Sequence, residues 1–254
     1  MKSAIRPLLP RSVLQTYRKL LRVGEGLRNR HRPTEDVFTE IYTANTWGGE
    51  AGEFCSGGGT ADPVIVGRYV ETIGQEAARR GFAGGVFVDI GCGDFRVGLQ
   101  LLPLCGRYIG IDIVKSMIEH NRRQFGGDPK VGFLHMNVIE ETPPDGDVCF
   151  VRQVLQHLSN AQIAAILGKL DRYRLVYITE HYPSDDPSIQ PNLDKVQGPG
   201  IRLYDNSGVY LTEPPFSLPE RALTLVLEVP GRGVQGDYDA GVIKTFIYEA
   251  HKTK

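Results

Sequence analysis

The segment VFVDIGCGDF, residues 86–95, decides the fold. A short apolar run leads directly into Gly91 and Gly93, and it carries one acid, Asp89. A run of this length that is apolar on both faces is typical of a strand buried between helices in a parallel sheet. The two glycines let the backbone approach a ligand where the strand ends. The segment therefore predicts a buried strand followed by a ligand-binding turn.

Apolar runs of similar length recur along the chain and alternate at first with helical patterns. The predicted strands cover residues 85–91, 107–114, 131–138, 147–154, 174–181, 223–230 and 243–251. The helices predicted between the first five cover residues 96–104, 114–125 and 159–173. Strands that alternate with helices indicate a doubly wound parallel sheet. The link between the last two strands is too short for a crossover helix, so this pair should be antiparallel.

The predicted fold class is therefore α/β, with a Rossmann-like seven-stranded mixed sheet. It contains five parallel strands and a terminal antiparallel pair, with helices on both faces and an N-terminal helical extension. We expect a basic helical extension at residues 1–33, a helical cap or lid segment at 34–84 and the sheet-containing core at 85–254. Asp62 is a natural N-cap for a helix over residues 62–80.

Composition limits the classes of function. The net charge of −1 over 254 residues provides no general basic field for nucleic acid, so we expect no nucleic-acid partner. The four cysteines form no CxxC pair, which favours a reducing cytoplasmic location. Residues 1–32 carry nine Lys and Arg against one acid, Glu25. Such a helix can touch an anionic membrane surface peripherally, or it can remain solvated or pack in an oligomer.

The turn after the first strand points to a charged ligand. A dinucleotide fingerprint has a third glycine where this chain has Arg96, which weakens a nicotinamide reading. Asp89 would repel a pyrophosphate but suits an ammonium or sulfonium group. Asp112, at the end of the second strand, can accept the hydroxyls of a ribose. Asn137, at the end of the third strand, could reach an adenine edge.

On these residues the chain resembles the class I S-adenosylmethionine-dependent methyltransferases over residues 85–251. The segments FTEIYTANTWGG, SGGGT, YIGIDIV and PPFSLP resemble, more narrowly, a bacterial subgroup that O-methylates sugars and polysaccharides, including the mycobacterial mannose-polysaccharide methyltransferases. One departure is Gln153, because that position is often an aspartate in the subgroup. The resemblance implies S-adenosylmethionine as cofactor and a sugar or polysaccharide-precursor hydroxyl as acceptor.

The motif and the resemblance together give a set of cofactor-binding candidates. The glycine-rich stretch at 46–60 is expected to form a lid over the cofactor, with its glycines serving close approach and movement. The candidates are Tyr42, Trp47, Ser56, Gly57, Asp89, Gly91, Cys92, Gly93, Asp112, Ile113, Asn137, Val138 and Arg152.

A hydroxyl acceptor needs a general base or a metal ion before it can attack a methyl group. The candidate catalytic residues are His157, His181 and Glu180, although the histidines could also be structural. Carboxylates are the ligands that Mg²⁺ prefers, so a Mg²⁺ site and a plain polar loop are both open for Glu180, Asp185, Asp186 and Asp194. Arg202 and Tyr204 are weaker candidates for substrate contact.

Several functions remain open at this point. The alternatives to sugar O-methylation are N-methylation of an amino sugar or small amine, a nicotinamide-dependent oxidoreductase and a non-catalytic scaffold. We expect a sugar or glycan small-molecule substrate and a homodimer. The acceptor and the methylated position are not fixed by the sequence.

Overall fold

The computed structural model describes residues 23–50, 52–184, 187–231 and 241–250. Its centre is a seven-stranded sheet of order β3-β2-β1-β4-β5-β7-β6. The strands are β1 Val86–Ile90, β2 Arg107–Asp112, β3 Val131–His135, β4 Val148–Arg152, β5 Leu175–Tyr182, β6 Leu223–Pro230 and β7 Val242–Tyr248. The first five pair in parallel, and β7 runs antiparallel to both β5 and β6. This topology confirms the predicted Rossmann-like mixed sheet.

Helices precede the sheet and cover it. They are α1 Thr34–Thr43, α2 Gly58–Ala61, α3 Pro63–Arg80, α4 Gly98–Leu101, α5 Lys115–Phe125 and α6 Asn160–Leu167. Residues 23–29 are also helical, and 3-10 turns lie at Leu102–Leu104, Leu155–His157, Leu170–Arg172, Arg202–Asp205 and Glu220–Ala222. Within the described ranges, every helix is too short or too polar to cross a bilayer.

The strands bury both faces, as their continuous apolar runs require. Successive strand side chains point to opposite sides of a sheet. Phe87 accordingly packs in the layer that contains Ile73 of α3. Its neighbour Val88 packs in the layer that contains Phe38 of α1 and Ile163 of α6. The sheet is therefore the middle of three layers.

The helix after Asp62 forms for the reasons visible in the sequence. The Asp62 carboxylate accepts hydrogen bonds from the N–H groups of Val64 and Ile65, at 2.9 and 3.2 Å. These N–H groups have no partner inside the helix, so the cap stabilises its first turn. The helix ends at Gly81, which adopts the left-handed conformation with φ 68°. The predicted helix at 62–80 is confirmed.

Two predicted helices are shorter than expected. The 96–104 pattern gives only α4 and a 3-10 turn that contains Pro103, a residue with no N–H for continued α-helical bonding. The 159–173 pattern gives α6, which ends before Gly168, and a separate 3-10 turn. Glycine is a poor helix former, so the chain turns back toward β5 earlier than the periodicity indicated.

We expect Ile73→Ala to lower the free energy of unfolding by about 2–5 kcal/mol, because the fully buried Ile73 side chain packs between α3 and the sheet. Urea unfolding followed by circular dichroism measures this. Glu71→Ala, on the exposed face of the same helix, is the matched control and should change stability by less than about 0.5 kcal/mol. Equal losses in the two variants would contradict the proposed docking of α3.

Candidate active site

One cavity of about 670 Å³ lies at the carboxyl ends of β1, β2 and β4. This volume is within the usual range of about 300–1,000 Å³ for small-molecule pockets. All of the predicted cofactor-binding residues line it, and so do His157 and His181. The fold therefore brings together side chains that are widely separated in the sequence.

The glycine turn after β1 forms the floor of the cavity. Gly91 and Gly93 both have positive φ, 74° and 52°. A Cβ atom on Gly91 would lie 2.4 Å from a methyl carbon of Val154, and one on Gly93 would lie 2.3 Å from the Ser56 hydroxyl oxygen. Both the conformation and the available space therefore require glycine at these positions.

Asp112 connects this turn to the end of β2. Its Oδ2 accepts from the Gly93 N–H at 3.0 Å, and its Oδ1 accepts from the Val114 N–H at 2.9 Å. Burial raises the pKa of Asp112, while these N–H donors lower it. Each carboxylate oxygen can accept a second hydrogen bond. This geometry fits the role expected for Asp112, which is to accept the hydroxyls of a ribose.

Asp89 and Arg152 place opposite charges on the cavity wall. The Tyr108 hydroxyl donates to Asp89 at 2.8 Å, and burial raises the pKa of Asp89 to about 6. Arg152 lies over the Tyr69 ring, 5.2 Å from its centroid, and donates to the carbonyl oxygen of Gly59 at 2.7 Å. Its buried Nε has no partner among the described residues. This pair suits a ligand end that carries both an ammonium and a carboxylate.

The opposite end of the cavity is more apolar. The predicted residues Ile113, Asn137 and Val138 line it, together with Met136 and Ile139, which the sequence analysis did not single out. The Asn137 side-chain oxygen already accepts from the Ile139 N–H at 3.1 Å. Their apolar character next to Asn137 could have identified Met136 and Ile139 as lining residues, since an adenine ring needs flat apolar walls as well as polar contacts.

The glycine-rich stretch at 46–60 bridges two walls of the cavity. Ser56 and Asp94 exchange hydrogen bonds, N–H to carboxylate at 3.2 Å and N–H to hydroxyl at 3.0 Å. The Tyr42 hydroxyl lies 3.2 Å from the Ser56 hydroxyl. On the other side, the Trp47 indole N–H donates to the Pro199 carbonyl oxygen at 3.2 Å. These contacts fix the stretch on both sides of the cavity, and its role as a lid stays a prediction.

Because Gly59 has no side chain, the 46–60 stretch approaches the end of β4 closely. Gly57 has φ 89°, and a Cβ atom on Gly59 would lie only 2.1 Å from the amide oxygen of Gln153. Gly59 therefore faces Gln153, and its carbonyl oxygen accepts from Arg152. Pro199 and Gly200, in a turn of the long segment before β6, also line the cavity and were not predicted.

His157 and His181 enter the cavity from neighbouring strand ends. His157 ends the 3-10 turn after β4, and its ring centroid lies 4.8 Å from that of Trp47. Burial and the nearby Lys195 ammonium lower the pKa of His157 to about 3, so its imidazole is neutral at physiological pH. His181 lies near the end of β5 and is buried.

Glu180 differs from the two histidines, because it is fully buried and is not among the residues that line the cavity. Its carboxylate oxygens accept from the N–H groups of Leu155 and Gln156, at 2.8 and 3.1 Å. Burial raises the pKa of Glu180, while the N–H groups of Leu155 and Gln156 lower it by favouring the carboxylate, the form in which both oxygens accept. The structure thus places Glu180 behind the His157 turn, and this corrects our expectation that Glu180 faces the substrate.

The residues considered for Mg²⁺ are not brought together in the described ranges. Asp194 accepts from the N–H groups of Asn160 and Lys195, at 2.7 and 2.8 Å, so it is engaged in loop structure. Among the described residues, no group of three His, Cys, Asp or Glu side chains could hold a metal ion. Asp185 and Asp186 lie outside the described residues.

Arg202 is also internal. Its guanidinium donates to the Leu158 carbonyl oxygen at 2.7 Å and to the Asn160 side-chain oxygen at 2.9 Å. The residue is almost completely buried, so its contacts hold the long segment against the His157 loop. The Tyr204 side chain lies outside the described part of the chain.

Residues 88–173 match a family model described as a methyltransferase domain. No curated protein matches the chain. Among solved structures, the chain is similar to the N-methyltransferase NodS from Bradyrhizobium japonicum WM9 in complex with S-adenosyl-L-homocysteine. The identity is 15%, with 86% of this chain and 98% of that chain covered and a TM-score of 0.56.

Two further solved structures share the fold. Magnesium protoporphyrin IX methyltransferase (ChlM) from Synechocystis PCC 6803 with bound S-adenosyl-L-homocysteine is 11% identical, over 85% of this chain and 99% of that chain, with a TM-score of 0.54. The DhpI–S-adenosyl-L-homocysteine complex is 13% identical, over 85% and 95%, with a TM-score of 0.50. At these identities the likeness shows the fold alone.

The methyltransferase-domain match over residues 88–173 and the sheet topology indicate an S-adenosylmethionine-dependent methyltransferase. The match goes against the nicotinamide oxidoreductase alternative. The residues on the cavity wall fit the cofactor, because the glycine cradle, the carboxylate of Asp112 and the Asp89–Arg152 pair provide complementary groups.

We expect the affinity for S-adenosylhomocysteine to fall as the pH is lowered from about 7 to about 5. Asp89 has its pKa raised to about 6, so it is ionised above that pH and loses its charge toward the ligand ammonium below it. Calorimetry should show weaker binding by Asp89→Asn at pH 7 and a smaller pH dependence. Asp128→Asn, an exposed substitution of the same type, should behave as wild type. A pH dependence equally strong in Asp89→Asn would contradict this assignment.

We expect S-adenosylhomocysteine to protect the lid from a protease that cuts after glutamate. Glu50 and Glu53 are exposed on the 46–60 segment, and closure over a bound ligand should reduce their access. Mass spectrometry of timed digests measures this. Cleavage after Glu220, in an exposed 3-10 turn outside this segment, serves as the internal control. Unchanged cleavage at Glu50 and Glu53 would make the segment a linker.

Proposed function

We propose that this methyltransferase transfers a methyl group to a hydroxyl of a sugar or polysaccharide precursor. The observation that carries the proposal is the shared cavity, in which His157 and His181 lie on the same walls as the cofactor candidates Asp89, Gly91 and Asp112. A sugar hydroxyl needs a proton acceptor close to the methyl donor, and imidazole is the side chain most often used for this task.

The cofactor supplies an electrophilic methyl group on a sulfonium. Asp89 and Arg152 would hold its amino-acid end, and Asp112 would hold its ribose. The protein then has to align the acceptor oxygen and keep out water. Trp47, which joins the lid to Pro199, covers this part of the cavity.

The two histidines are proposed to have different roles. An imidazole whose pKa is lowered to about 3 takes up a proton poorly near neutral pH, although it can still form a hydrogen bond. We therefore assign acceptor orientation to His157. Proton removal from the hydroxyl is assigned to His181, at the end of β5.

The cavity wall also carries uncharged polar side chains and an aromatic ring. Asn45, Thr46, Gln153 and Trp47 all line it. Amide and hydroxyl groups can bind several sugar hydroxyls, and an aromatic surface can cover the apolar face of a pyranose. These features support a neutral sugar as the acceptor and a role in polysaccharide biosynthesis.

N-methylation of an amino sugar or small amine is the second candidate. The low pKa of His157 favours it, because an uncharged amine needs no strong base before it attacks a methyl group. The fold similarity to NodS, an N-methyltransferase, is compatible with this alternative. Mass spectrometry of the product distinguishes the two by locating the added methyl on oxygen or nitrogen.

The cellular location, the oligomeric state and the metal requirement are also proposed from the sequence. We expect a cytoplasmic homodimer, with peripheral membrane contact by the basic N-terminal residues as an alternative. Residues 1–22 lie outside the described part of the chain. Mg²⁺ remains a hypothesis, which a chelator tests: loss of activity restored by Mg²⁺ would support a metal.

We expect His181→Gln to lower kcat by roughly 10²–10⁴-fold with neutral sugar acceptors, because general-base catalysis contributes on this scale. Release of S-adenosylhomocysteine measures the rate, and calorimetry should show nearly unchanged cofactor affinity. His31→Gln, at an exposed histidine, is the control and should keep full activity. Full activity of His181→Gln would exclude the proposed base, and methylation of nitrogen only would replace the proposed acceptor.

A further inference from the structure

The turn after β4 needs external support to hold its shape. Gln153, its first residue, has φ 55°, which is uncommon for a residue other than glycine. The Gln153 N–H donates to the Thr179 carbonyl oxygen of β5 at 2.7 Å. The following 3-10 turn, Leu155–His157, begins with N–H groups that have no partner inside the turn.

The Glu180 carboxylate supplies these missing partners. One oxygen accepts from the Leu155 N–H at 2.8 Å, and the other accepts from the Gln156 N–H at 3.1 Å. Both oxygens are thus used on two successive backbone groups immediately before His157. Thr179 and Glu180 are neighbours on β5, so a single strand fixes the whole turn.

The same strand carries His181. Successive side chains of a strand point to opposite sides, so Glu180 reaches the turn behind the cavity wall while His181 lines the cavity. The distance between the two histidines therefore depends in part on the contact between Glu180 and the turn after β4. Without that contact the His157 turn would lose this support from β5.

The far side of His157 is held separately. Its carbonyl oxygen accepts from the Gly198 N–H at 3.0 Å and from the Lys195 ammonium at 3.4 Å. Its ring packs against Trp47, with 4.8 Å between the centroids. Glu180 thus supports the backbone just before His157, and the other contacts of His157 come from the long segment before β6 and from the lid.

We propose that Glu180 is a positioning residue, which sets the His157 turn against the strand that carries His181 and against Trp47 of the lid. This inference rests on the proposed function for its consequence in catalysis, but its structural part does not depend on the acceptor. Glu180 acts through the backbone of Leu155 and Gln156 and does not touch the reacting groups.

A carboxylate is needed because the side chain must accept two hydrogen bonds, one on each oxygen, from the Leu155 and Gln156 N–H groups. In Glu180→Gln, the amide oxygen can accept from one of them, while the amide NH₂ faces the other N–H and cannot accept. One buried backbone donor then loses its partner, which is unfavourable, and the turn should move to relieve the conflict. Glu180→Asp keeps both oxygens on a side chain that is one methylene shorter.

The experiment uses the single tryptophan of the chain as a reporter. Because Trp47 packs on His157, displacement of the turn in Glu180→Gln should shift its fluorescence emission. The matched control is Thr245→Val, which removes the buried hydroxyl contact to Thr179 on the same strand without touching the turn. We expect an emission shift in Glu180→Gln and none in Thr245→Val. The Kd for S-adenosylhomocysteine should stay within about twofold of wild type in both.

With an accepted sugar, Glu180→Gln should lower kcat by roughly 100-fold, a loss typical of a misplaced catalytic group. If Glu180→Gln does not fold, Glu180→Asp provides the same comparison, because its shorter side chain withdraws both acceptor oxygens from the Leu155 and Gln156 N–H groups. Wild-type emission in the folded Glu180 variant, or an equal shift in Thr245→Val, would overturn the positioning role. Failure of every sugar acceptor with the emission shift retained would count against the proposed function only.

Discussion

The hydrogen bond from the Gly93 N–H to the Asp112 carboxylate is the contact on which the rest of the site depends. It joins the turn after β1 to the end of the neighbouring strand β2. It can form only because Gly91 and Gly93 adopt positive φ in a space that excludes a Cβ atom. The turn therefore lies close to the carboxyl ends of β1 and β2, and its glycines line the cavity.

The lid is built on that same turn. Ser56 exchanges two hydrogen bonds with Asp94, the residue after Gly93, and its hydroxyl occupies the space that a side chain on Gly93 would need. The lid continues through Trp47 to Pro199 and the ring of His157. One glycine-rich segment therefore connects the turn after β1 with Pro199 and His157.

Buried charge is used here for structure as well as chemistry. Asp112 and Glu180 each accept two backbone N–H groups, which offset part of the cost of burying a carboxylate. The buried Arg202 guanidinium likewise offsets its burial by donating to a carbonyl oxygen and to a side-chain amide oxygen. Asp89 and Arg152 instead face the cavity. Some buried charges therefore hold loops in place through backbone hydrogen bonds, and others are accessible to a ligand in the cavity.

Several features were readable from the sequence, because they depend on local rules. Continuous apolar runs predicted the buried strands, Asp62 and Gly81 bounded α3, and the close glycines after β1 marked the ligand turn. The acids and amides that follow parallel strands could be assigned to one edge, since the carboxyl ends of such strands meet there. These rules were sufficient for the fold and for predicting which of these side chains line one cavity.

Only the tertiary structure decided how the cavity is built around His157 and His181. The sequence put Glu180 beside His181 as an equivalent candidate, but the alternation along β5 turns the carboxylate toward the Leu155 and Gln156 N–H groups. The placement of Pro199 beside Trp47, and of Arg202 inside the loop, depends on contacts between residues far apart in the chain. Local patterns contain no information about such contacts, because they are fixed by how the long segment before β6 packs over the finished sheet.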